Sequence, residues 1–368
     1  MIRVLHIVSK LSINSGVMNV IMNYYRHIDR TKIQFDFLYF EESSKNFKDE
    51  IILLGGEIHY IEKPSIRCFF DSIGNFDKFF KAHINKYKII HLHEVYLVHL
   101  ISYFSQKYNI KHLITHAHTT KYSDNPKNAM RNRIMCFGVK YSATDYFACS
   151  KAAGEFYYGK KTVERGQVKI INNAIELRKY KYEEQTRNMI RKDLNIENKF
   201  VIGNIGRLAP PKNHMFLLRV FLEVQKIKKD AVLLLVGDGP LRKDVEEKVR
   251  NLGLEDKVIF LGIRKDIPNV LMAMDVFVLP SLFEGVPISA VEAQATGLTC
   301  ILSSVITKEV DIGKSIYLDL EDDCSAWINN ILSQYDSERH GFTDKTLKQI
   351  TFSIEDSYRT LEKYYLVM

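Results

Sequence analysis

The stretch FEGVPISAVEAQATG, residues 283–297, decides the fold of this chain and holds its most informative acids. The apolar run VFVLP before it predicts a buried strand, the residues after Pro287 predict a helix, and GLTCIL predicts the next strand. Glu284 then lies in the loop and Glu292 in the helix. A strand, loop, helix, strand unit with acids after the strand is typical of parallel sheets that bind ligands at the carboxyl ends of their strands. Taken alone, the two carboxylates also fit an acid/base pair of the kind that hydrolyses glycosides.

Outward from this unit, apolar runs alternate with helical patterns along both halves of the chain. The alternation covers residues 1–175, loosens in the charged stretch 176–198 and restarts at Lys199. It predicts βαβ crossovers and mostly parallel sheets, and a chain of 368 residues favours two domains. We expect an α/β protein of two doubly wound, Rossmann-like domains facing each other across a cleft, with 176–198 as linker and 199–351 as the second domain. The last segment, about 352–368, predicts a helix that crosses back to the first domain.

Composition excludes several classes of protein. An apolar share of 46% and a charged share of 26% are those of a folded globular protein. The five cysteines are odd in number and form no Cys-x-x-Cys pair, which argues against a disulfide framework or a zinc site. No apolar run approaches the ~20 residues of a membrane-spanning helix, and the first residues do not resemble a signal peptide. We expect a cytoplasmic protein.

The positive charge is concentrated in the first half. Residues 1–172 contain 25 Lys and Arg against 15 Asp and Glu, a net +10, whereas residues 173–368 contain 27 against 29, a net −2. A solvated surface explains such an excess. The Phe-rich stretch from Arg67 to His83, beside this charge, also fits peripheral contact with an anionic membrane surface. The alternative is that most of these phenylalanines pack a helix against a sheet. Nucleic acid is not an expected partner.

Two loops of the second half predict a phosphate site. In GNIGRLAPPKN, Gly206 and Arg207 follow a predicted strand and Lys212 precedes a predicted helix. Two cations near a helix amino terminus suit a diphosphate, because free backbone N–H groups and the helix dipole add to their charge. The loop VGDGP, with Gly237, Asp238 and Gly239, follows the next strand. A tight turn explains it fully, although a nucleotide at that strand end is also possible.

Other motifs in the chain are incomplete or ambiguous. The first loop offers only Gly16 and does not meet G-x-G-x-x-G, and GKS at 313–315 lacks the first glycine of a P-loop. His91 and His93 do not form H-E-x-x-H, so we expect no protein-held metal. His116 and His118 alternate at a strand end, on the side where the cleft is expected. They fit either a structural or a functional role.

Together these motifs resemble the retaining glycosyltransferases of family 4, which have the GT-B fold. The likeness is densest at GRLAPPKN, at VGDGP and at the two glutamates eight residues apart, and NNAIE resembles the hinge motif of that family. MNYYR, QFDFLYF and ITKEVDIG are similar to segments of members that build bacterial capsules and exopolysaccharides. The resemblance spans nearly the whole chain.

The resemblance implies a role for each candidate residue. Glu292 would hold the ribose hydroxyls of a nucleotide sugar and Glu284 the donor sugar, while Arg207 and Lys212 neutralise the leaving diphosphate. His116 would face the sugar or the acceptor. The remaining implied substrate-binding positions are Gly16, Gly206, Gly237, Asp238, Gly239, Gly285, Val286 and Pro287.

The implied reaction needs no cofactor and no metal. The resemblance implies that a hexose or N-acetylhexosamine moves from a nucleotide sugar, with UDP the expected nucleotide, to a polyprenyl-diphosphate-linked saccharide at the inner face of the cell membrane. The first domain would bind the acceptor and the second the donor. Ser15, Thr299 and Ser304 depart from the pattern of the family, which leaves sugar and acceptor open. A non-catalytic partner of another transferase and a nucleotide-sugar epimerase remain alternatives.

Overall fold

The computed structural model describes residues 1–64, 69–123, 125–320, 323–335, 337–339, 341–342 and 350–368. These residues form two compact units. The first comprises Met1–Ile175 together with Ile354–Met368, and the second comprises Glu176–Ser353.

The first unit is built on a parallel sheet of seven strands in the order β3-β2-β1-β4-β5-β6-β7. Its strands are β1 (Ile2–Lys10), β2 (Ile33–Glu41), β3 (Ile58–Tyr60), β4 (Ile89–Leu92), β5 (His112–Ala117), β6 (Asp145–Ala148) and β7 (Val168–Ile170). Its α-helices before the crossing to the second unit are α1 (Gly16–His27), α2 (Lys48–Leu53), α3 (Phe69–Ala82), α4 (Val98–Lys107), α5 (Pro126–Met135), α6 (Val139–Ser142), α7 (Lys151–Tyr158) and α8 (Lys160–Glu164).

The second unit has a parallel sheet of six strands in the order β10-β9-β8-β11-β12-β13. Its strands are β8 (Phe200–Ile205), β9 (Ala231–Val236), β10 (Val258–Gly262), β11 (Val276–Leu279), β12 (Thr299–Ser303) and β13 (Ser315–Leu318). Its described α-helices are α9 (Glu184–Asp193), α10 (His214–Ile227), α11 (Arg242–Asn251), α12 (Ile267–Ala273), α13 (Ile288–Ala295) and α14 (Ser325–Leu332), and α15 (Ile354–Val367) follows in the first unit.

In both parallel sheets, the direction in which successive strands are added reverses once along the chain. In the second unit the chain builds outward from β8 through β9 to β10, and then returns to place β11 on the other side of β8. The loops that follow β8 and β11 therefore lie at the switch point of the sheet, where open parallel sheets bind ligands in a crevice. All residues of β8 and β9 are buried, because helices cover both faces of this sheet.

The last helix belongs to the first unit, as the sequence predicts. The backbone N–H of Ile354 donates to the carbonyl of Ile175 at 3.0 Å. Further along α15, the hydroxyl of Tyr365 lies 2.5 Å from Nδ1 of His91, on β4. Buried apolar and polar contacts thus anchor the helix where the chain returns.

The stretch 176–198, expected to be a linker, instead contributes a helix to the second unit. Arg191 of α9 is 5% exposed and donates to Asp275, at 3.2 Å, and to the carbonyl of Ala273. Arg187 donates to the same carboxylate and to the carbonyl of Met274. This helix is held by arginines rather than by an apolar stripe, so hydrophobic periodicity does not reveal it.

The Phe-rich helix packs into the core of the first unit. Phe76, Phe79 and Phe80 are buried, and Phe76 and Phe80 stack on Phe104 of α4. Core packing is therefore the correct interpretation for these three rings, and the membrane interpretation of them is wrong. Arg67 and the side chains of Phe69 and Phe70 lie outside the described residues. Within the described part of the chain, no helix combines the length and the apolar character needed to cross a bilayer.

Candidate active site

The crevice of the second sheet is bordered by two loops that touch each other. The loop after β8 runs from Gly206 to Asn213, and the loop after β11 runs from Pro280 to Pro287. The backbone N–H of Leu282 donates to the carbonyl of Pro211 at 2.8 Å, which joins the loops directly. Residues far apart in the sequence are thereby brought to one place.

Lys212 and Glu284 form the central contact between these loops. The Lys212 Nζ lies 2.6 Å from Oε1 of Glu284, and their side chains are 16% and 15% exposed. The Ser281 hydroxyl donates to the same Oε1 at 2.8 Å, while its carbonyl accepts from the Ser303 hydroxyl at 2.6 Å. The pair is thus held by β12 as well as by its own loops, and it offers a partly exposed ammonium and carboxylate side by side.

Gly206 makes room for this lysine. A Cβ at Gly206 would lie 2.8 Å from Cε of Lys212, so a larger residue would displace the lysine side chain. The neighbouring Arg207 is exposed at the same loop. The two cations that the sequence predicts therefore occupy one loop at the crevice, one packed against the backbone and one open to solvent.

Gly237 and Gly239 have a structural reason to be glycine. A Cβ at Gly237 would lie 2.1 Å from the carbonyl oxygen of Gly206, and one at Gly239 would lie 2.4 Å from that of Leu208. Asp238 is exposed, and its carbonyl accepts from the N–H of Leu208 at 3.1 Å. Close backbone packing of the two loops accounts for this motif, and contact with a nucleotide stays a prediction.

Glu292 lies on α13, where its carboxylate accepts a hydrogen bond from the hydroxyl of Tyr180. Burial raises the pKa of Glu292, and the Tyr180 hydrogen bond opposes that rise. Ahead of the helix, Val286 and Pro287 are buried and Gly285 is partly exposed. The turn therefore positions the amino terminus of α13, and Glu292 is a half-buried carboxylate on that helix.

Two residues next to these candidates were not predicted from the sequence. Tyr180 lies in the stretch that was expected to be a linker, so no pattern pointed to it. His214 follows Lys212 and Asn213 at the start of α10, where it is 2% exposed. Neither of its ring nitrogens has a hydrogen-bond partner among the described residues. Burial, and then the charge of Lys212, lower the pKa of His214 to about 4. Its position next to the predicted lysine was the available signal.

In the first unit, Gly16 is the first residue of α1. The Ser15 hydroxyl caps this helix by accepting from the N–H of Met18 at 3.3 Å. No atom among the described residues lies within 4 Å of where a Cβ at Gly16 would be. Packing therefore does not require this glycine, which leaves its backbone open to close approach.

Five histidines form two hydrogen-bonded rows on β1, β4 and β5 or just beyond. In one row, Nδ1 of His116 lies 3.0 Å from Nε2 of His91. In the other, His93 contacts Nδ1 of His6 at 3.0 Å and Nε2 of His118 at 2.8 Å. Burial lowers the pKa of all five, to about 3 for His6 and His118, so these imidazoles are neutral at physiological pH.

The two rows bring together histidine ring nitrogens that the sequence did not predict to be close to one another. His93, His116 and His118 each offer a ring nitrogen within 4.8 Å of the others. Neutral imidazoles in such a group suit a transition-metal ion. The expectation that no metal is held by the protein therefore stays a prediction, with a specific place to test it.

Residues 199–337 match the family model described as glycosyl transferases group 1. EpsF of Bacillus subtilis, a protein named as a glycosyltransferase, is 30% identical over 370 residues, which covers 99% of this chain and 96% of EpsF. The UDP-Gal:α-D-GlcNAc-diphosphoundecaprenol α-1,3-galactosyltransferase of Escherichia coli is 37% identical over 147 residues, 39% of this chain and 38% of that enzyme.

Among solved structures, HepE of Anabaena in complex with UDP and glucose superposes with a TM-score of 0.79 at 18% identity, over the full length of both chains. Two parallel α/β units of this kind, with this likeness, show the GT-B fold, and the expected fold is confirmed. The chain belongs to the glycosyl transferases group 1 family. It is therefore a glycosyltransferase, as its sequence motifs predict.

Proposed function

We propose that this enzyme transfers a hexose or N-acetylhexosamine, with retention of anomeric configuration, from a UDP-sugar to a polyprenyl-diphosphate-linked saccharide in capsule or exopolysaccharide synthesis. The observation that carries the proposal is the Lys212–Glu284 contact of 2.6 Å at the crevice beside β8. It sets a cation for a diphosphate next to a carboxylate for sugar hydroxyls.

The cations act on the leaving group. As the bond between the sugar C1 and the diphosphate oxygen breaks, its electron pair stays on the diphosphate. Lys212 and Arg207 stabilise the growing negative charge, and so they stabilise the transition state more than the ground state. Because Lys212 is held by the carboxylate of Glu284, little reorganisation is needed when the charge develops.

The two glutamates bind different parts of the donor. Glu284 orients the sugar through its hydroxyls, and its contact with Lys212 places sugar and diphosphate side by side. Glu292 accepts hydrogen bonds from the vicinal ribose hydroxyls, a geometry that suits one carboxylate. Tyr180 donates to the same carboxylate and fixes its orientation. We assign Gly16 to close approach of its backbone to the phosphates. We assign His116 to contact with the sugar or the acceptor.

The choice of substrates is supported by relatives. The Escherichia coli enzyme is named for a UDP-sugar donor and a diphosphoundecaprenol-linked acceptor, and HepE was crystallised with UDP. We place this chain in the same substrate class, acting from the cytoplasm at the inner face of the cell membrane.

The test is a screen of UDP-sugars against polyprenyl-diphosphate-linked saccharides, read as UDP release and as product by mass spectrometry. Transfer with the anomeric configuration of the donor, shown by NMR, supports the proposal, and inversion contradicts it. Calorimetry with UDP separates the alternatives, because a non-catalytic partner would bind neither UDP nor UDP-sugar. Turnover of donor without any acceptor would instead indicate an epimerase.

A further inference from the structure

The segment 126–142, comprising α5, a turn and α6, carries two side-chain stripes of identical spacing. Asn132, Cys136, Val139 and Ala143 are buried. Met130, Ile134, Phe137 and Tyr141 are 62%, 69%, 85% and 81% exposed. Each set advances by four, three and four residues, although Gly138, with a φ of 74°, separates α5 from α6. Met130 and Ile134 therefore lie on α5, Phe137 in the turn and Tyr141 on α6. We call the exposed set the outer stripe.

The outer stripe is held in place by the rest of the first unit. His99 on α4 contacts the Ser142 hydroxyl at 2.7 Å through Nδ1 and the Phe137 carbonyl at 2.9 Å through Nε2. The Asn132 side-chain amide donates to the carbonyl of Tyr122 at 2.8 Å. The exposed rings therefore project from an anchored surface. Four large apolar side chains facing solvent within twelve residues of sequence exceed the single exposed apolar residues of an ordinary surface.

The charged side chains of residues 125–144 are all basic. Lys127, Arg133 and Lys140 are exposed, and residues 125–144 contain no Asp or Glu. None of the three cations forms an ion pair with a carboxylate that the structure describes. A face that combines exposed apolar side chains with unneutralised cations is complementary to a layer of anionic groups that covers an apolar interior.

We propose that the outer stripe, with Lys127, Arg133 and Lys140, docks the first unit on an anionic lipid bilayer. Phe137 and Ile134 enter the interface between head groups and acyl chains, and the cations meet lipid phosphates. The proposal deepens the proposed function and rests on it for the choice of a bilayer, since a polyprenyl-linked acceptor resides in one. The face also replaces the Phe-rich helix as the membrane contact that the sequence predicted.

A second exposed apolar patch supplies a matched control. Ile52 and Leu53 of α2 are 57% and 86% exposed, but this helix carries Asp49 and Glu50 in its first turn. Exposure alone would make both patches bind a membrane. Charge complementarity predicts that only the outer stripe binds an anionic one.

The experiment is co-sedimentation of the full chain with vesicles of phosphatidylcholine alone or with phosphatidylglycerol. We expect binding to the anionic vesicles that falls with added salt. Phe137→Ser with Tyr141→Ser, and separately Arg133→Glu with Lys140→Glu, should each weaken it at least tenfold, whereas Ile52→Ser with Leu53→Ser should not. Circular dichroism melts check that each variant is folded.

Three results would overturn the docking proposal. They are absent binding by the wild type, equal binding by the outer-stripe variants, and a concentration-dependent dimer that Phe137→Ser abolishes, which would assign the face to a second copy. Transfer to a detergent-dispersed acceptor, measured in parallel, should survive in the outer-stripe variants. Loss of vesicle binding with retained transfer supports docking, whereas wild type that binds vesicles but transfers nothing contradicts the proposed function alone.

Discussion

The Lys212 Nζ and Glu284 Oε1 lie 2.6 Å apart although 72 positions separate them in the sequence, because β8 and β11 are neighbours in the sheet. The loop after each strand supplies one partner. This contact joins two modest sequence motifs in one candidate site and fixes the orientation of the lysine side chain. Removal of the lysine should therefore lower mainly the rate of the chemical step.

Lys212→Met should lower kcat by about 100- to 1,000-fold, the range found when one preorganised electrostatic group is lost from a transition state. The dissociation constant of UDP-sugar should change less. Lys226→Met is the matched control, because Lys226 pairs with Glu223 at 2.7 Å on an exposed face of α10. Equal kinetics for Lys212→Met and wild type would remove the lysine from the mechanism.

Glu292→Ala should weaken UDP binding by about tenfold or more, since a hydrogen bond to a charged group is worth ~1.5–3 kcal/mol. Tyr180→Phe keeps the carboxylate and loses only the hydroxyl that donates to it, so its effect should be smaller. Calorimetry with UDP measures both. An order of effects opposite to this would mean that Tyr180, not Glu292, contacts the nucleotide.

Glu292→Gln should raise the melting temperature at neutral pH. Burial raises the pKa of Glu292 above its usual 4.5, so ionising it costs the folded state more than the unfolded state. That cost is absent below about pH 4.5 and grows as the pH rises through the folded-state pKa. Thermal melts should therefore show a difference of a few degrees near pH 7, given ~2–4 °C per kcal/mol for units of this size, and almost none at pH 4. A constant difference would contradict the burial argument.

Acid should destabilise the first unit through its histidine rows. Burial lowers the pKa of His6 from its ordinary 6.5 to about 3 in the folded protein. Below pH 6.5, His6 therefore binds more protons in the unfolded chain than in the folded one. Stability is complete above pH 6.5 and is lost as the pH falls toward 3. In urea titrations between pH 7.5 and 5, His6→Gln should show a shallower loss than wild type. Identical slopes would mean that His6 is protonated when folded.

Chelation addresses the imidazole group of His93, His116 and His118. Transfer should proceed unchanged after dialysis against EDTA, because Lys212 and Arg207 supply the positive charge at the diphosphate. Activity that disappears with EDTA and returns with Zn²⁺ or Mn²⁺ would reject the metal-free mechanism. Persistence of that metal dependence in His118→Ala would then locate the ion elsewhere.

The strands and helices of the fold could be predicted from the local pattern of apolar and polar residues. Continuous apolar runs such as Phe200–Ile205 and Ala231–Val236 predict strands buried on both faces, and the structure places them so. The loop position of Glu284 and the helical position of Glu292 follow from the Gly-Val-Pro turn between them. Local pattern failed at α9, where Arg187 and Arg191 bind Asp275 and no apolar stripe is present.

The sequence by itself determined the alternation of strands and helices, the loops that carry the cations and acids, and the class of enzyme. Only the tertiary structure decided which residues meet: Lys212 with Glu284, Tyr180 with Glu292, and the five histidines in two rows. It also decided that Phe76 and Phe80 are covered while Phe137 is exposed. The physical reason is that periodicity shows which residues share a face, whereas strand order and long-range packing determine what, if anything, covers that face.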